Sequence, residues 1–400
     1  MFMRNRLTSI AAAVFLVGHA CHAGVFTGVG GLRPDLTSTV VYGLSADGTY
    51  VVGSSLNNNT SSRFEAFRWS RQGGMEGLGF LDTSLNNHRS RAYGVSRDGS
   101  VIAGDSPSRL STISLKGMVW TENNGMQHIP NLPGGSYSGF ARDVDDAGTY
   151  IAGNDSNNES AQDNGRAAYR WNRNNSTFDT LGDLSGGRYF AEARGISGDG
   201  TAVAGYSESS NGNEAFVWTE SGGMVGLGDL SGGAFSSFGE DVSNSGAVVG
   251  FGRSASGTEA FRWTQAGGMV GLGDFAGGSF VSAAYSVSAD GSLVGGTGNT
   301  ADGERAFLWD AVNGMRQMSD VLAMAGLNLT GWTLLSVEGI SENGMIFAGR
   351  GINPDGDTEG WYADMTPVPE PGAVLLLAAG TIAACLRCRR NRKCKNVTSD

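Results

Sequence analysis

One phrase returns seven times along this chain, and a repeat at near-constant period constrains the fold more than any single residue can. Its clearest copy runs Gly195-Ile196-Ser197-Gly198-Asp199-Gly200, then Ala202-Val203-Ala204-Gly205, then Ala215-Phe216-Val217-Trp218. The glycines that follow the small or acidic turn residue are Gly48, Gly99, Gly148, Gly200, Gly246, Gly291 and Gly344. The matching tryptophans are Trp69, Trp120, Trp171, Trp218, Trp263 and Trp309, with Trp361 as a looser seventh. Both series step by 45 to 53 residues.

Each unit reads as four short strands. The first is Tyr42 to Leu44 in unit 1, and the second is Tyr50-Val51-Val52-Gly53. The third carries Phe67-x-Trp69 with period-two alternation, and the fourth reads Gly-Met-x-x-Leu-Gly, as at Gly223 to Gly228. Asp-Gly between two apolar runs predicts a type I′ hairpin turn, with positive φ at both central residues. Four strands per unit, seven units and no helical period predict an all-β chain, a seven-bladed β-propeller over residues 24–365. Unit 7 lacks its fourth strand, and Val25 to Leu32 loosely resembles it, so the N-terminal strand is expected to complete the last blade. Ser319 to Gly326 predicts one short helix, with a cap-like Ser or Asp and a Gly stop.

Composition limits the chemistry. With 64 Gly, 8 Pro and 40% apolar residues, the chain is rich in turns without being disordered. Residues 24–369 hold 37 Asp plus Glu against 20 Lys plus Arg, a balance of −17. So acidic a body repels phosphate backbones, and nucleic acid is not an expected partner. The body has no Cys and only His88 and His128, which leaves no disulfide, no His-rich metal site and no material for a Ser-His-Asp triad. No catalytic residue, metal or cofactor is expected.

The two ends read as addresses. Arg4 and Arg6 precede the apolar run Ile10 to Val17, and small residues end at Ala23, the order of a secretory signal peptide over residues 1–23. At the other end Val368-Pro369-Glu370-Pro371 leads into an apolar run to Leu386. A basic cluster follows, with Arg387, Arg389, Arg390 and Arg392. The run is short of the roughly twenty residues of a full span, yet with the cluster behind it can stop transfer as a C-terminal transmembrane helix. These residues resemble the PEP-CTERM sorting signal of bacteria, here over residues 366–395. The resemblance implies cutting near Pro369-Glu370-Pro371 by a membrane exosortase, and therefore an exosortase-type enzyme and secretion machinery as partners. It also implies passage through an inner-membrane intermediate to the envelope, cell surface or extracellular matrix. The repeat strands Glu214-Ala215-Phe216, Glu259-Ala260-Phe261 and Arg305-Ala306-Phe307 resemble those of the HAF-repeat family of exported bacterial proteins, with the family's His replaced in all three. Unit 2 has Met118, unit 3 Tyr169 and unit 7 Trp361 where that family's Phe stands. The family implies no enzymatic activity or ligand that carries over.

Binding candidates come from comparing units. The residue before the small position of each first strand changes freely: Tyr42, Tyr93, Arg142, Arg194, Glu240, Tyr285 and Glu338. In a ring these positions form one circle, where aromatic faces suit sugars and guanidinium groups suit carboxylates. The plainer alternative is salt bridging between units, such as Arg194 to Glu240. Loops are longer in units 1 to 3, at Asn57 to Ser62, Ser106 to Lys116 and Asn154 to Arg166, and are expected to build a polar wall over one side. The acidic runs Asp143 to Asp146 and Asp355 to Glu359 are read as solvated turns before calcium sites, and the Trp and Phe series as core. The chain is therefore expected to be a noncatalytic exported binder of polysaccharide or of a surface protein. The alternatives are a glycan-acting hydrolase or lyase working through Glu240 and Glu338, and a passive structural module.

Overall fold

A computed structural model describes residues 24–367, apart from 36, 58–63, 86–88, 109–114, 134 and 158–164. Residues 24–365 form one compact unit. It is all-β with a single short helix among the described residues. After β1 (Val25–Gly28) come β2 (Thr39–Leu44), β3 (Tyr50–Leu56), β4 (Phe64–Ser70) and β5 (Gly74–Gly77), and the last four form an antiparallel sheet in chain order. The same four-strand meander follows five more times along the chain, and a three-strand meander ends it. Two neighbouring meanders share one parallel pair, Arg166 with Phe190, so they count as one eight-stranded sheet. The other sheets stay separate in their ladders, and each first strand packs against the sheet before it. The last sheet, Thr333–Ile340, Ile346–Ile352 and Thr358–Asp364, takes β1 as its fourth strand, and β2 packs on that sheet in turn.

The repeat phrase now has physical reasons. In the turn of unit 1, the Gly48 N–H donates to the Ser45 carbonyl at 2.8 Å, and the Tyr50 N–H donates to Ser45 Oγ at 2.9 Å. Asp47 Oδ1 accepts from the Thr49 N–H at 2.8 Å and from the Ser45 hydroxyl at 2.7 Å. Only the glycine of this turn has positive φ, +77°, so the expected type I′ geometry is corrected to a four-residue turn closed by a left-handed glycine. Asp serves as a side-chain acceptor there, a role Asp98, Asp199 and Asp290 repeat.

The third strand lays its Phe, or Met118, Tyr169 or Trp361, directly opposite the glycine that ends the second strand's apolar run. These side chains are buried, and Phe67, Met118, Tyr169, Phe307 and Trp361 pack into the space a side chain on their glycine would take. Trp361 therefore holds the Phe place. The tryptophan place in unit 7 belongs to Ala363, which faces Phe347 as Trp69 faces Val51. Trp69, Trp120, Trp171 and Trp218 are buried, whereas Trp263 and Trp309 are only partly so, a correction to the expectation of core throughout. Between Phe and Trp, an arginine reaches the next unit. Arg68 donates to the Gly99 carbonyl and Arg170 to the Gly200 carbonyl, both at 2.9 Å, and Arg262 donates to the Gly291 carbonyl at 2.8 Å.

The Glu of Glu-Ala-Phe is structural as well. Glu214 Oε1 accepts from the Gly228 N–H at 3.0 Å, and Glu65 and Glu259 do the same for Gly79 and Gly273. These glycines have positive φ just past the fourth strand, so the carboxylate fixes where the chain leaves the sheet. In the last unit Glu359 accepts from the Gly30 N–H at 2.8 Å, the same contact made to the N-terminal segment. Glu214→Ala is expected to cost about 1–3 kcal/mol, and Glu214→Gln less, because the amide keeps an acceptor. Chemical denaturation of the variants checks this, and an unchanged midpoint for the alanine variant would refute it.

Two smaller expectations are corrected. The helix runs Met318–Met324 with Gln317 before it and no side-chain cap, so Ser319 and Asp320 lie inside its first turn. Gly326 does stop it, at φ +81°. The long loops are shorter than their sequence limits, because Ser106, Lys116, Asn154 and Arg166 are strand residues. The centres of those loops, where the polar wall was expected, lie outside the described residues.

Candidate functional site

Every first strand carries a β-bulge at the same place. Val41 faces Gly53 and Gly43 faces Val52, so Tyr42 is the extra residue between them. The residues skipped in the same way in the following units are Tyr93, Arg142, Arg194, Glu240, Tyr285 and Glu338. A bulged residue has no ladder partner, and its side chain is re-aimed. All seven converge on one cavity of about 480 Å³. That size suits one small polar moiety or a short oligomer. The seven variable positions of the sequence are thus brought together.

The cavity is charged unevenly. Arg91 pairs with the buried Asp105 at 3.0 Å, and Asp105 also accepts from the Tyr93 hydroxyl at 2.8 Å. Arg194 lies 3.2 Å from Glu192 and 3.7 Å from Glu240, so the salt bridge weighed as the plainer alternative does form. Arg142 rests against the rings of Tyr93 and Phe140, at 4.9 and 4.5 Å from their centroids, and the Tyr42 ring meets that of Tyr93 at a tilt, 5.1 Å between centroids. Glu338 accepts from the Ser336 hydroxyl at 2.6 Å. Burial pushes its carboxyl up to about 7, and burial also raises Glu240. At the turn end, Arg97 bridges Asp146 of the next unit at 2.9 Å and Glu342 of the last unit at 2.7 Å.

Sequence comparison of the units missed part of this site. Asp143 and Asp241 follow the bulged residue where other units have Gly or Ser, and both line the cavity. Asp143 accepts from the Ile196 N–H at 3.0 Å and Asp241 from the Val287 N–H at 2.9 Å, each tying two units together. That departure from Gly was the available signal. Burial, and for Asp143 also the neighbouring Asp241, push the two carboxyls up to about 8 and about 6. Raised folded-state values mean that the folded protein holds protons the unfolded chain releases. The stability they contribute is fully present below pH ~4, near the unfolded carboxylate value, and is lost as pH rises through about 6 and then about 8. The melting midpoint of the full chain is therefore expected to fall between mildly acidic and mildly alkaline buffer. A midpoint that climbs over that range would sink this assignment.

The other sequence candidates separate. Among the described residues no group of three or more His, Cys, Asp or Glu is placed to hold a metal ion. Asp145 caps its own turn, accepting from the Tyr150 N–H at 2.9 Å. Asp357 accepts from the Thr37 hydroxyl at 2.8 Å and Glu359 from the Asn353 amide at 2.8 Å. Ala23, Val368, Pro369, Glu370, Pro371 and the cluster Arg387, Arg389, Arg390 and Arg392 lie outside the described residues, as does the expected C-terminal helix. Among the described residues no helix is long and apolar enough to cross a membrane.

The fold and the C-terminal segment together define an exported protein with an all-β, propeller-like body and a C-terminal sorting signal. The PEP-CTERM protein-sorting motif matches residues 367–390, which places the chain with proteins sorted to the envelope or surface by an exosortase-type system. Among solved structures, the chain is similar to the β-propeller domain of the Trilobed protease from Pyrococcus furiosus. That likeness has a TM-score of 0.55 and 9% identity, covering 82% of this chain and 94% of that one. It is a likeness of fold. TolB from Acinetobacter baumannii matches with TM-score 0.43 and 15% identity over 80% of each chain. An oligogalacturonate lyase from Vibrio parahaemolyticus matches with TM-score 0.49 and 10% identity over 87% of this chain and 97% of that one. No curated protein matches the sequence.

Proposed function

We propose that the protein is an exported, noncatalytic binding module that holds a glycan or a surface protein at the envelope or in the extracellular matrix. On this reading residues 1–23 are a signal peptide cut after Ala23. Residues 24–365 are one seven-bladed propeller of HAF-repeat kind, with β1 completing its last blade. Residues 366–395 carry the sorting motif Val368 to Pro371, an apolar membrane helix and the stop cluster from Arg387 to Arg392. The exosortase-type enzyme acts on that tail. The observation that carries the reading is the delivery of seven equivalent bulged side chains, three Tyr, two Arg and two Glu, into one cavity. A structural ring alone would not call for such variety at equivalent positions, whereas a ligand of uneven shape and charge does.

A glycan array probed with the full chain, with and without Ca²⁺, and followed by mass analysis of the bound sugar, tests this. Binding without change of mass is the expected result. Silence under both conditions would overturn the glycan reading and turn attention to a protein partner or a passive structural role. One observation favours a second reading, a glycan-cleaving enzyme: Glu338 holds its proton up to about pH 7, as a general acid must. A hydrolase also needs a second carboxylate at a suitable separation, and Glu240 would be that group. Shortened sugars that persist at full length with Glu338→Gln would establish it.

A further inference from the structure

The charged groups of the cavity are not equally satisfied. Arg91 has Asp105, and Arg194 has Glu192 and Glu240. Among the described residues Arg142 forms no ion pair and no side-chain hydrogen bond, although Asp105 and Glu240 act on it at longer range, and its Nε is buried without a partner. What it does have is the Tyr93 and Phe140 rings. Those contacts hold a guanidinium in place without neutralising it. A half-buried arginine stays charged, so its unmet N–H groups cost free energy until an acceptor arrives. Burial lowers its basicity first, with Arg194 and Arg91 adding to that and Tyr93 and Asp105 opposing it, and an anion in the cavity would relieve the net effect.

The other free groups in the cavity suit hydroxyls. Among the described residues Tyr42 and Tyr285 make no side-chain hydrogen bond, and Glu338 accepts one from Ser336 and has acceptor capacity to spare. A flat, forked cation beside phenol rings and a buried carboxyl matches a ring bearing several hydroxyls and one carboxylate.

We propose that Arg142 is the seat of a carboxylate, and that the glycan taken by this cavity is of the uronate class rather than neutral. The inference rests on the glycan-binding reading above and adds the chemical class of the ligand. The carboxylate sits in the plane of the guanidinium, where a bidentate pair is favoured. The ring hydroxyls reach Tyr42, Tyr285 and Glu338.

The test is titration calorimetry of the full chain with short oligouronates and with the same oligomers after reduction of each carboxyl to an alcohol. The oligouronates are expected to bind at least roughly tenfold more tightly, the scale of one charge-assisted pair. Arg142→Gln should remove that preference, lowering the affinity for the oligouronates far more than that for the reduced oligomers. Arg142→Lys should restore part of it, since lysine keeps the charge and loses the fork. If Arg142→Gln does not fold, judged by its melting curve, the lysine variant carries the test through a clear drop in oligouronate preference. Equal affinity for both oligomers would overturn the carboxylate seat and leave glycan binding standing. A preference that survives in a folded Arg142→Gln would place the anion elsewhere and overturn the assignment. Failure of both oligomers to bind would remove the inference together with the glycan reading.

Discussion

Deleting residues 24–34 is expected to abolish cooperative folding of the whole body, although the segment holds only one four-residue strand. β1 pairs Val25 with Asp364, Phe26 with Ala363, Thr27 with Tyr362 and Gly28 with Trp361. Beyond the strand, the Val29 N–H donates to the Gly360 carbonyl at 2.9 Å, and the Gly30 N–H to Glu359 at 2.8 Å. Phe26 meets Trp332 edge-on at 5.4 Å and Trp361 at 6.2 Å, and Val29 is buried between the last and first sheets. Each net hydrogen bond contributes about 1 kcal/mol and each buried large apolar side chain about 2 kcal/mol. The sum is on the order of 5–10 kcal/mol, comparable to the whole stability of a typical domain. The deletion also leaves the edge of Thr358–Asp364 unpaired, which favours aggregation. Comparing melting curves and solubility of the deleted and full chains decides it. A deleted chain that melts like the parent would show that the N-terminal strand closes nothing.

Gly205→Val is expected to be nearly as damaging, and for a reason that lies in the bulge. The extra residue Arg194 pushes the preceding backbone toward the second strand, and a Cβ on Gly205 would fall far inside contact distance of the Glu192 carbonyl oxygen. The same carbonyl approach is found at Gly53, Gly104, Gly153, Gly250, Gly296 and Gly349. Backbone cannot yield as a flexible side chain can, so the cost exceeds the 1–3 kcal/mol of ordinary overpacking. The turn glycines offer a calibrated contrast. Gly246→Ala meets no neighbouring atom and suffers only from its φ of +80°, so it should cost about 1–2 kcal/mol. Denaturant midpoints of the two variants are expected in that order. A Gly205→Val protein as stable as Gly246→Ala would contradict the close approach.

The same bulge explains how far the sequence could be read. Period, strand order and the turn glycines were legible because each depends on contacts within one hairpin, and local contacts repeat whenever local sequence repeats. The N-terminal strand could be matched to the last sheet because its Gly-x-Gly ending copies the exit that Glu65, Glu214 and Glu259 hold elsewhere. The circle from Tyr42 to Glu338 stood out through its variability, yet nothing local said that these residues were bulged or that they met. The turn was misjudged because Asp-Gly is common to two turn types, and only the Ser45, Asp47 and Tyr50 contacts distinguish them. Trp361 fitted two series by sequence, as a looser seventh tryptophan and in the place of the Phe, and register across Ile346–Ile352 decides for the second.

The sequence alone determined an exported, repeat-built β chain with a sorting signal at its end, since strand period, turn chemistry and targeting segments are all written in neighbouring residues. Only the tertiary structure decided that seven bulges aim tyrosines, arginines and glutamates into one cavity, that Arg194 finds Glu240, and that Arg142 meets aromatic rings but no ion-pair partner among the described residues. Those outcomes depend on residues up to about three hundred positions apart being brought together, and charge pairing is settled by distance in space rather than by distance along the chain.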